Sequence, residues 1–587
     1  VTRDASAYKG LFYPFQTAIK KYAGVDYKTF REQAFEFYKK QTERMAQVRD
    51  EYVLPVKKSY VSNYYFPYSA GADSLIYLKT SYRHRRAFYI KDAKGEHRLK
   101  TRDIAIDEQF SYRNGKIVYS AYESDARWGW KDYSVIKLLD VQTGKQQTLT
   151  HKTKYFTPDI SEDGSLVAAV QFDENGKSEL HILNTNGGTV LNKIHSPEIN
   201  LFTDPKFLDD KTIISAVRLK DGRMYLAKSI LPTGETSQLT SPSFNVIGYP
   251  CISNGIVYYT ASYADNDDVF ALRMSNGKIY KISDGPLGNY NVNVAGGKIT
   301  WSSFTAEGYQ LKQMDEKDVK WVEISKAVAT TLAVKFQTDT EASVGDVLSG
   351  KALQRQFAVS DYKKSTKLIN LHSWRPNYSD PIFSYSIYGQ NVLNTLETEF
   401  YYQYNQNERT NAVGVNAVYG ALFPNIVLGT EYTFDRSTVI GNRVRQWSQL
   451  DSRIGISIPL NFASGQTFKN FNLSSYYVLR NNFNKGFYKD SLGNTSFSYL
   501  LHSISWSQQI QRAVQHIYPR VAYFLNVNHR HAITNVKGSQ FIANGSIHVP
   551  GFLSTHNFIF NGSFQERDTL SQLVFSDRFV NSRGYEG

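Results

Sequence analysis

The sequence predicts a mainly β chain: a six-bladed β-propeller, then part of an antiparallel transmembrane β-barrel, with a short helical segment in front. Three observations predict it. Glycine turns recur at spacings of 49, 43, 47 and 43 residues within residues 60–325. Beyond residue 382, long segments alternate apolar and polar side chains. The charge drops at the same place: residues 382–587 hold 16 basic and 11 acidic side chains, while the 381 residues before them hold 95. The two parts therefore face different solvents or build different architectures. The 42 tyrosines and 35 phenylalanines suit pleated, half-buried surfaces.

Composition also excludes classes. No run of 18 apolar residues exists, so no transmembrane helix is expected. The mean hydropathy of −0.43 does not exclude a barrel, whose lipid-facing and lumen-facing residues average out. The single Cys251 excludes an internal disulfide framework and a cysteine zinc site. Val1-Thr2-Arg3 is neither a signal peptide nor an initiator methionine, so the true N-terminus is expected upstream.

Residues 1–58 read as a helical segment, the tail of a larger upstream domain. A short helix is expected from Tyr13 to Tyr22, stopped by Gly24. Thr29 and Glu32 form a capping box that opens a second helix, ended by Leu54-Pro55. Residues 60–325 carry the repeat. One set of turns is Lys94-Gly95, Thr143-Gly144, Asn186-Gly187, Thr233-Gly234 and Asn276-Gly277. A second set sits inside each unit, as at Asp163-Gly164 and Asn254-Gly255. Between them run apolar strands such as Leu166 to Val170 and Ile256 to Thr260. A four-strand unit repeated about every 45 residues is a propeller blade. Six units start near residues 62, 103, 155, 199, 244 and 289. An irregular sandwich is the rival reading.

Residues 326–380 read as a connector. Residues 382–587 hold roughly ten strands of bilayer-spanning length. Leu396, Thr398, Phe400, Tyr402 and Tyr404 share one face, opposite Glu397, Glu399, Gln403 and Asn405. Ile454, Ile456, Ile458 and Leu460 alternate with Gly455, Ser457 and Asn461, and His502, Ile504 and Trp506 with Ser503, Ser505 and Ser507. This is the alternation of a barrel with apolar residues outward and polar residues inward.

Two stretches carry a family resemblance. Tyr155 to Gly164, with Pro158, Ser161 and Asp163-Gly164 in a Pro-x-x-Ser-x-Asp-Gly pattern, followed by Leu180-His181-Ile182, resembles a TolB-type blade. Peptidase propellers of the prolyl-oligopeptidase type share the pattern. Arg583, Gly584 and Tyr585, after ten amphipathic strands, resemble the Arg-Gly-Phe/Tyr motif of the BamA superfamily of outer-membrane insertases. The resemblance implies that these residues lie on a sixth extracellular loop folded back into the barrel, and that the last strands follow beyond this chain. Helical tail, propeller and barrel together resemble a family of bacterial outer-membrane proteins whose upstream region is metallopeptidase-like.

Catalytic signatures are missing. There is no H-E-x-x-H, no G-x-S-x-G elbow, no phosphate-binding loop and no dinucleotide fingerprint. Asp265 to Asp268 offers oxygen ligands for calcium but lacks the wider spacing of a known loop, so a solvated blade turn is expected. His529 and His531 share a strand face without a visible third ligand, and are expected in the lumen or a loop. Arg83, Arg85 and Arg86 lead a basic cluster that reads either as a solvated face without function or as a patch for an anionic partner such as lipid headgroups. Phe383, Tyr385 and Ile387 mark the expected first strand, one side of a barrel seam. No cofactor, metal or nucleic acid is expected. The resemblance implies a bacterial outer-membrane location with the propeller in the periplasm. It implies a role without bond chemistry in envelope biogenesis, as insertase, translocation pore or accessory subunit of a multi-subunit barrel-assembly complex. The expected partners are outer-membrane lipid and periplasmic or outer-membrane proteins. The alternative is a membrane-anchored enzyme whose peptidase domain lies upstream, with the propeller gating substrate.

Overall fold

The computed structural model describes residues 1–7, 13–42, 52–57, 59–263, 266–285, 287–330, 357–358, 361, 367–534, 536–553, 555–571, 573–576 and 579. Three helices open the chain: Thr2–Ser6, Pro14–Ala23 and Tyr27–Thr42. Pro14 sits in the first turn, where its missing N–H breaks no bond. Gly24 closes the same helix at a φ of 73°. The third helix begins before the expected capping box. Asp26 accepts the amides of Lys28 and Thr29 at 2.9 and 3.0 Å, and the Thr29 hydroxyl donates to it at 2.9 Å. The helix starts at the first good acceptor it meets, and aspartate caps as well as threonine does.

Six small antiparallel sheets follow, each laid down from the inside outward. Their innermost strands are Ser62–Gly71, Phe110–Arg113, Tyr155–Ile160, Ile199–Asp209, Ile247–Ser253 and Asn289–Ala295. Each touches the next, and the sixth touches the first, so the sheets close a ring. This is a six-bladed β-propeller. The second strand of each blade is buried on both faces between neighbouring blades. It therefore reads as a continuous apolar run without alternation: Ile76-Tyr77-Leu78, Val167 to Val170 and Val257-Tyr258-Tyr259 are all almost fully buried.

Blade six has only three strands, ending with Gly308–Asp315. The chain then turns back, and Val322–Ile324 adds a fifth strand to blade five. The open flank of blade six is covered from the other end of the chain. The Val53 amide donates to the Leu311 carbonyl at 2.9 Å, and Leu54 is buried among Tyr64, Leu75, Tyr77 and Leu311. The segment just before blade one thus bridges the last blade and the first.

The rest of the described chain forms one eleven-stranded antiparallel sheet in strict chain order. Its strands are Leu371–Ser379, Ile382–Gln390, Leu396–Asn405, Thr410–Tyr419, Asn425–Ile440, Arg443–Asn461, Thr467–Asn484, Thr495–Ile510, Ala522–Ala532, Ser539–Pro550 and Asn557–Arg567. The first and last are not paired with each other, so the described sheet is open. Directly paired residues share a face, and the register sorts the two faces cleanly. One row runs Ile458, Leu473, Ile504, Val527, Ala543 and Phe564. The next row, on the opposite face, runs Pro459, Asn472, Ser505, Asn526, Asn544 and Ser563.

Glycines on the polar face make room for large neighbours. A Cβ on Gly414 would run into the Tyr401 ring, and one on Gly455 would lie 2.7 Å from the Tyr476 ring.

Two sequence expectations change here. The sheet begins at Leu371, inside the expected connector, because Pro376 reads as a strand breaker. An edge strand tolerates it, since one side of its backbone needs no partner. As a result Phe383, Tyr385 and Ile387 belong to the second strand, paired on both sides, and the edge lies at Leu371–Ser379. The Asp26 cap replaces the Thr29–Glu32 box.

Candidate functional site

The propeller axis is built by a repeated irregularity. Phe66, Thr157, Asp204, Tyr249 and Asn291 each have a φ between 49° and 53°. Each lies at a register shift of its innermost strand. Four are followed by proline: Pro67, Pro158, Pro205 and Pro250. A bulge of this kind re-aims the side chains around it.

Beyond the bulges a polar layer closes the throat. Its members are Tyr68, Ser111, Asp159, Lys206, Cys251 and Asn293, one from each blade. Asp159 is 1% exposed and accepts the Ser111 hydroxyl, the Lys206 ammonium at 3.0 Å and the Phe207 amide at 2.9 Å. Lys206 also donates to the Tyr68 hydroxyl at 3.0 Å. Burial pulls the Lys206 ammonium down, but Asp159 and Tyr68 beside it carry it above its ordinary value. Burial pushes the Cys251 thiol up, which keeps it a poor nucleophile.

In front of this layer the axis opens into a cavity of about 450 Å³ lined by Tyr65, Phe66, Tyr249, Tyr290 and Tyr309 together with Asp107, Glu108 and Gln109. The rings contact one another: Tyr65 and Tyr309 lie 4.8 Å apart, Tyr290 and Tyr309 5.8 Å, Phe66 and Tyr249 5.7 Å. Behind this mouth a smaller cavity of about 30 Å³, which shares Phe66, Gln109, Thr157, Tyr249 and Asn291 with it, is lined by Asp204, 7% exposed. Asp204 accepts the Gln109 side-chain amide and the Tyr249 backbone amide, and burial raises its carboxyl above the usual range.

The loop that supplies this mouth also meets the large sheet. In residues 102–109, Ile104 donates its amide to the Gly465 carbonyl at 2.7 Å, while Asp107 to Gln109 line the mouth. The Asn461–Thr467 turn of the sheet contacts blades one and two. Ser124 donates to the Ala463 carbonyl, Asn461 to the Ala126 carbonyl, and Gln466 to the Thr101 carbonyl. Between the loop at Ala126 to Gly129 and the sheet lies a cavity of about 670 Å³, bordered by Asn472, Ser505, Asn526 and Ser563.

The basic cluster divides at this junction. Arg85 donates to Gln466 at 3.0 Å, Arg86 pairs with Glu108 at 2.9 Å, and Arg83 stacks over Tyr60. The three do not form one open anion patch, because the sheet and the mouth loop each engage one of them. Arg83 and Arg86 remain exposed. The 511–521 loop brings Arg512, His516 and Arg520 to the same junction, with Gln515 donating to the Tyr82 carbonyl. Its tips are apolar and exposed: Ile517 is 80% exposed, and Phe552 on the next turn 92%.

On the sheet's polar face, Asp451 takes both Arg480 nitrogens at 2.7 and 2.6 Å, and Glu431 takes the Tyr401 hydroxyl at 2.7 Å. The segment after the last strand folds back over this face. Leu573 donates to the Lys537 carbonyl, the Phe575 carbonyl accepts Arg567, and the Phe575 ring is buried against Val478 and Tyr499. Arg583, Gly584 and Tyr585 lie outside the described residues, as does Asp265.

The remaining expected sites resolve structurally. Asp268 is buried and accepts Ser283, Asn289 and Lys281, so it fastens blade five to blade six. His529 and His531 stack with His502, with centroids 5.2 to 6.3 Å apart. They share the face of Leu525 and Val527, so they lie on the apolar face and not in a lumen or loop. The two-residue period requires this. Among the described residues no group of histidine, cysteine and carboxylate suits a metal ion. The mouth escaped the sequence reading. Its signal was the proline placed immediately before the throat residue in four of the six units.

No protein-family model matches the chain, and no curated protein matches it. Among solved structures it is similar to TolB from Agrobacterium tumefaciens, with 18% identity over 34% of this chain and 80% of that one, at a TM-score of 0.28. It is similar to TolB from Acinetobacter baumannii, with 12% identity over 56% and 77%, at 0.30. A puromycin-hydrolyzing peptidase of Mycobacterium tuberculosis gives 10% identity over 58% and 60%, at 0.35. These likenesses are too distant to carry function.

Proposed function

We propose that the chain is a bacterial outer-membrane protein whose eleven-stranded sheet is part of a transmembrane barrel, with the propeller on the periplasmic side. The carrying observation is the sheet's apolar face. Leu428, Ile454, Ile456, Ile504, Leu525, Ile547, Phe560 and Phe564, on six strands, all stand exposed, between 39% and 61%. A water-soluble monomer rarely leaves so wide an apolar face open. Lipid covers such a face, and the strands are long enough to cross a bilayer. The arginines and exposed apolar tips at the junction lie at one end of the strands, where a membrane surface would meet them. They suit anionic headgroups there.

The role that fits is envelope biogenesis through a lateral edge. Within the described sheet, Leu371–Ser379 and Asn557–Arg567 each keep one side unpaired. An unpaired edge at the bilayer templates an incoming strand with its free donors and acceptors. The fold-back of residues 573–576 onto the polar face supports a role for the Arg583-Gly584-Tyr585 loop as an internal brace. The partners are then outer-membrane lipid and the proteins of an assembly complex, with the propeller as their docking module. No cofactor enters this reading.

The experiment is membrane fractionation with gel mobility. The protein should stay in the outer-membrane fraction after urea extraction and shift mobility on boiling. A water-soluble, detergent-independent monomer would contradict the reading. Arg583→Ala should leave the propeller folded and slow the assembly of other outer-membrane barrels in cells. Normal assembly would remove the motif from the account.

A further inference from the structure

We propose that the propeller mouth binds the side chain of a lysine or arginine presented by a polypeptide partner. The inference stands on the propeller alone and does not depend on the membrane reading.

Directly behind the mouth, in a small cavity that shares Phe66, Gln109, Thr157, Tyr249 and Asn291 with it, lies a carboxylate with no ion pair among the described residues. Asp204 is 7% exposed; the Gln109 and Tyr249 amides and the Thr203 side chain hydrogen-bond to its carboxylate, and the Lys206 charge reaches it without forming an ion pair. Among the described residues no lysine or arginine pairs with it. Its neighbour Lys206 is committed to Asp159 and Tyr68. A buried carboxylate without a cation is costly, and a cationic ligand removes that cost. Beside it, the buried Gln109 Oε1 accepts no hydrogen bond. An ammonium or guanidinium brings the donor that Gln109 Oε1 lacks and the opposite charge that Asp204 lacks. Asp267, which also has no ion pair among the described residues, adds charge of the same sign behind the wall residue Tyr290, whose hydroxyl donates to it at 2.8 Å.

The walls select the rest of the ligand. A cavity of about 450 Å³ is far larger than a bare ammonium requires. Tyr65, Phe66, Tyr249, Tyr290 and Tyr309 offer ring faces that attract a cation and cover an alkyl stem. A flexible apolar stem with a charge at its tip is the shape of lysine and arginine. The bulges at Phe66, Asp204 and Tyr249 hold backbone in a sparsely populated region around this cavity, and such strain gathers at ligand clamps.

The test uses the full chain in detergent and capped pentapeptides that carry arginine, lysine or citrulline at the centre, with calorimetry as readout. Arginine and lysine peptides should bind at least tenfold more tightly than the citrulline peptide. Asp204→Asn should weaken the charged peptides at least tenfold, and Tyr309→Ala several-fold. Asp204→Asn should melt no lower than the parent, because it removes a buried charge. Tyr309→Ala keeps the test open if the first variant misfolds. Equal binding of citrulline, no binding of any peptide, or binding unmoved by both variants would overturn the proposal. So would tighter binding of tetramethylammonium than of the peptides, which would assign the mouth to a free quaternary amine.

Discussion

Asp159 shows how one residue serves two levels of the structure. From blade three its carboxylate takes a hydroxyl of blade two and an ammonium and a backbone amide of blade four, so the throat is fastened around it. Lys206→Met would leave that carboxylate buried without its cation and should destabilise the propeller by about 3–5 kcal/mol. The double variant Lys206→Met with Asp159→Asn should recover much of the loss, and denaturant melts of the four species would show it. Asp163 offers a pH test. It accepts the Ser161 hydroxyl and the Ser165 amide, and these hold its carboxyl down at about 2. Its contribution is complete above the unfolded value near 3.9. It fades as pH falls through about 2, because protonation then breaks those bonds. Acid titration of Asp163→Asn should lack that component. Asp163 was legible in the sequence, because an Asp-Gly turn between strands has few other readings. Asp204 was not, since a lone Asp-Pro carries no sign of what lies across the ring from it.

At the scale of elements, the second strands of the blades and the alternating strands of the sheet were both legible, for opposite reasons. The first are covered on both faces and lose their alternation. The second are apolar on one face and polar on the other and keep it. The edge at Leu371–Ser379 was hidden because proline lowers any strand reading, and only the pairing partner shows that the missing N–H is harmless. The faces make a paired prediction. Ile504→Arg on the apolar face should lower the stability of the inserted protein by about 2–4 kcal/mol. Ser505→Arg, one residue on, borders the 670 Å³ cavity and should be tolerated. Folding titrations into lipid vesicles would compare them. Similar losses for both would deny the two faces different solvents. Gly414→Ala should cost about 1–3 kcal/mol by displacing the Tyr401 ring.

For the whole molecule, the charge drop after residue 381 marks the change from a structure packed on all sides to a sheet with one bare apolar face. The propeller is closed by its own first and last segments. Among the described residues the sheet is joined to it mainly through the Asn461–Thr467 turn, with the 511–521 loop beside it, on the face where the axial mouth opens. That juxtaposition could not be read from the sequence, because the contacts join residues more than 330 positions apart, as Ser124 and Ala463 are. It puts the mouth, the junction arginines and the membrane-facing strands at one level of the molecule. The most direct test of this account is solvent access at adjacent positions of one strand. With Cys251 replaced by serine, nitroxide labels at positions 504 and 505 would be compared in lipid vesicles. The account predicts that the label at 504 is relaxed mainly by oxygen and the label at 505 mainly by a water-soluble nickel complex. Equal access of the nickel complex to both positions would contradict it.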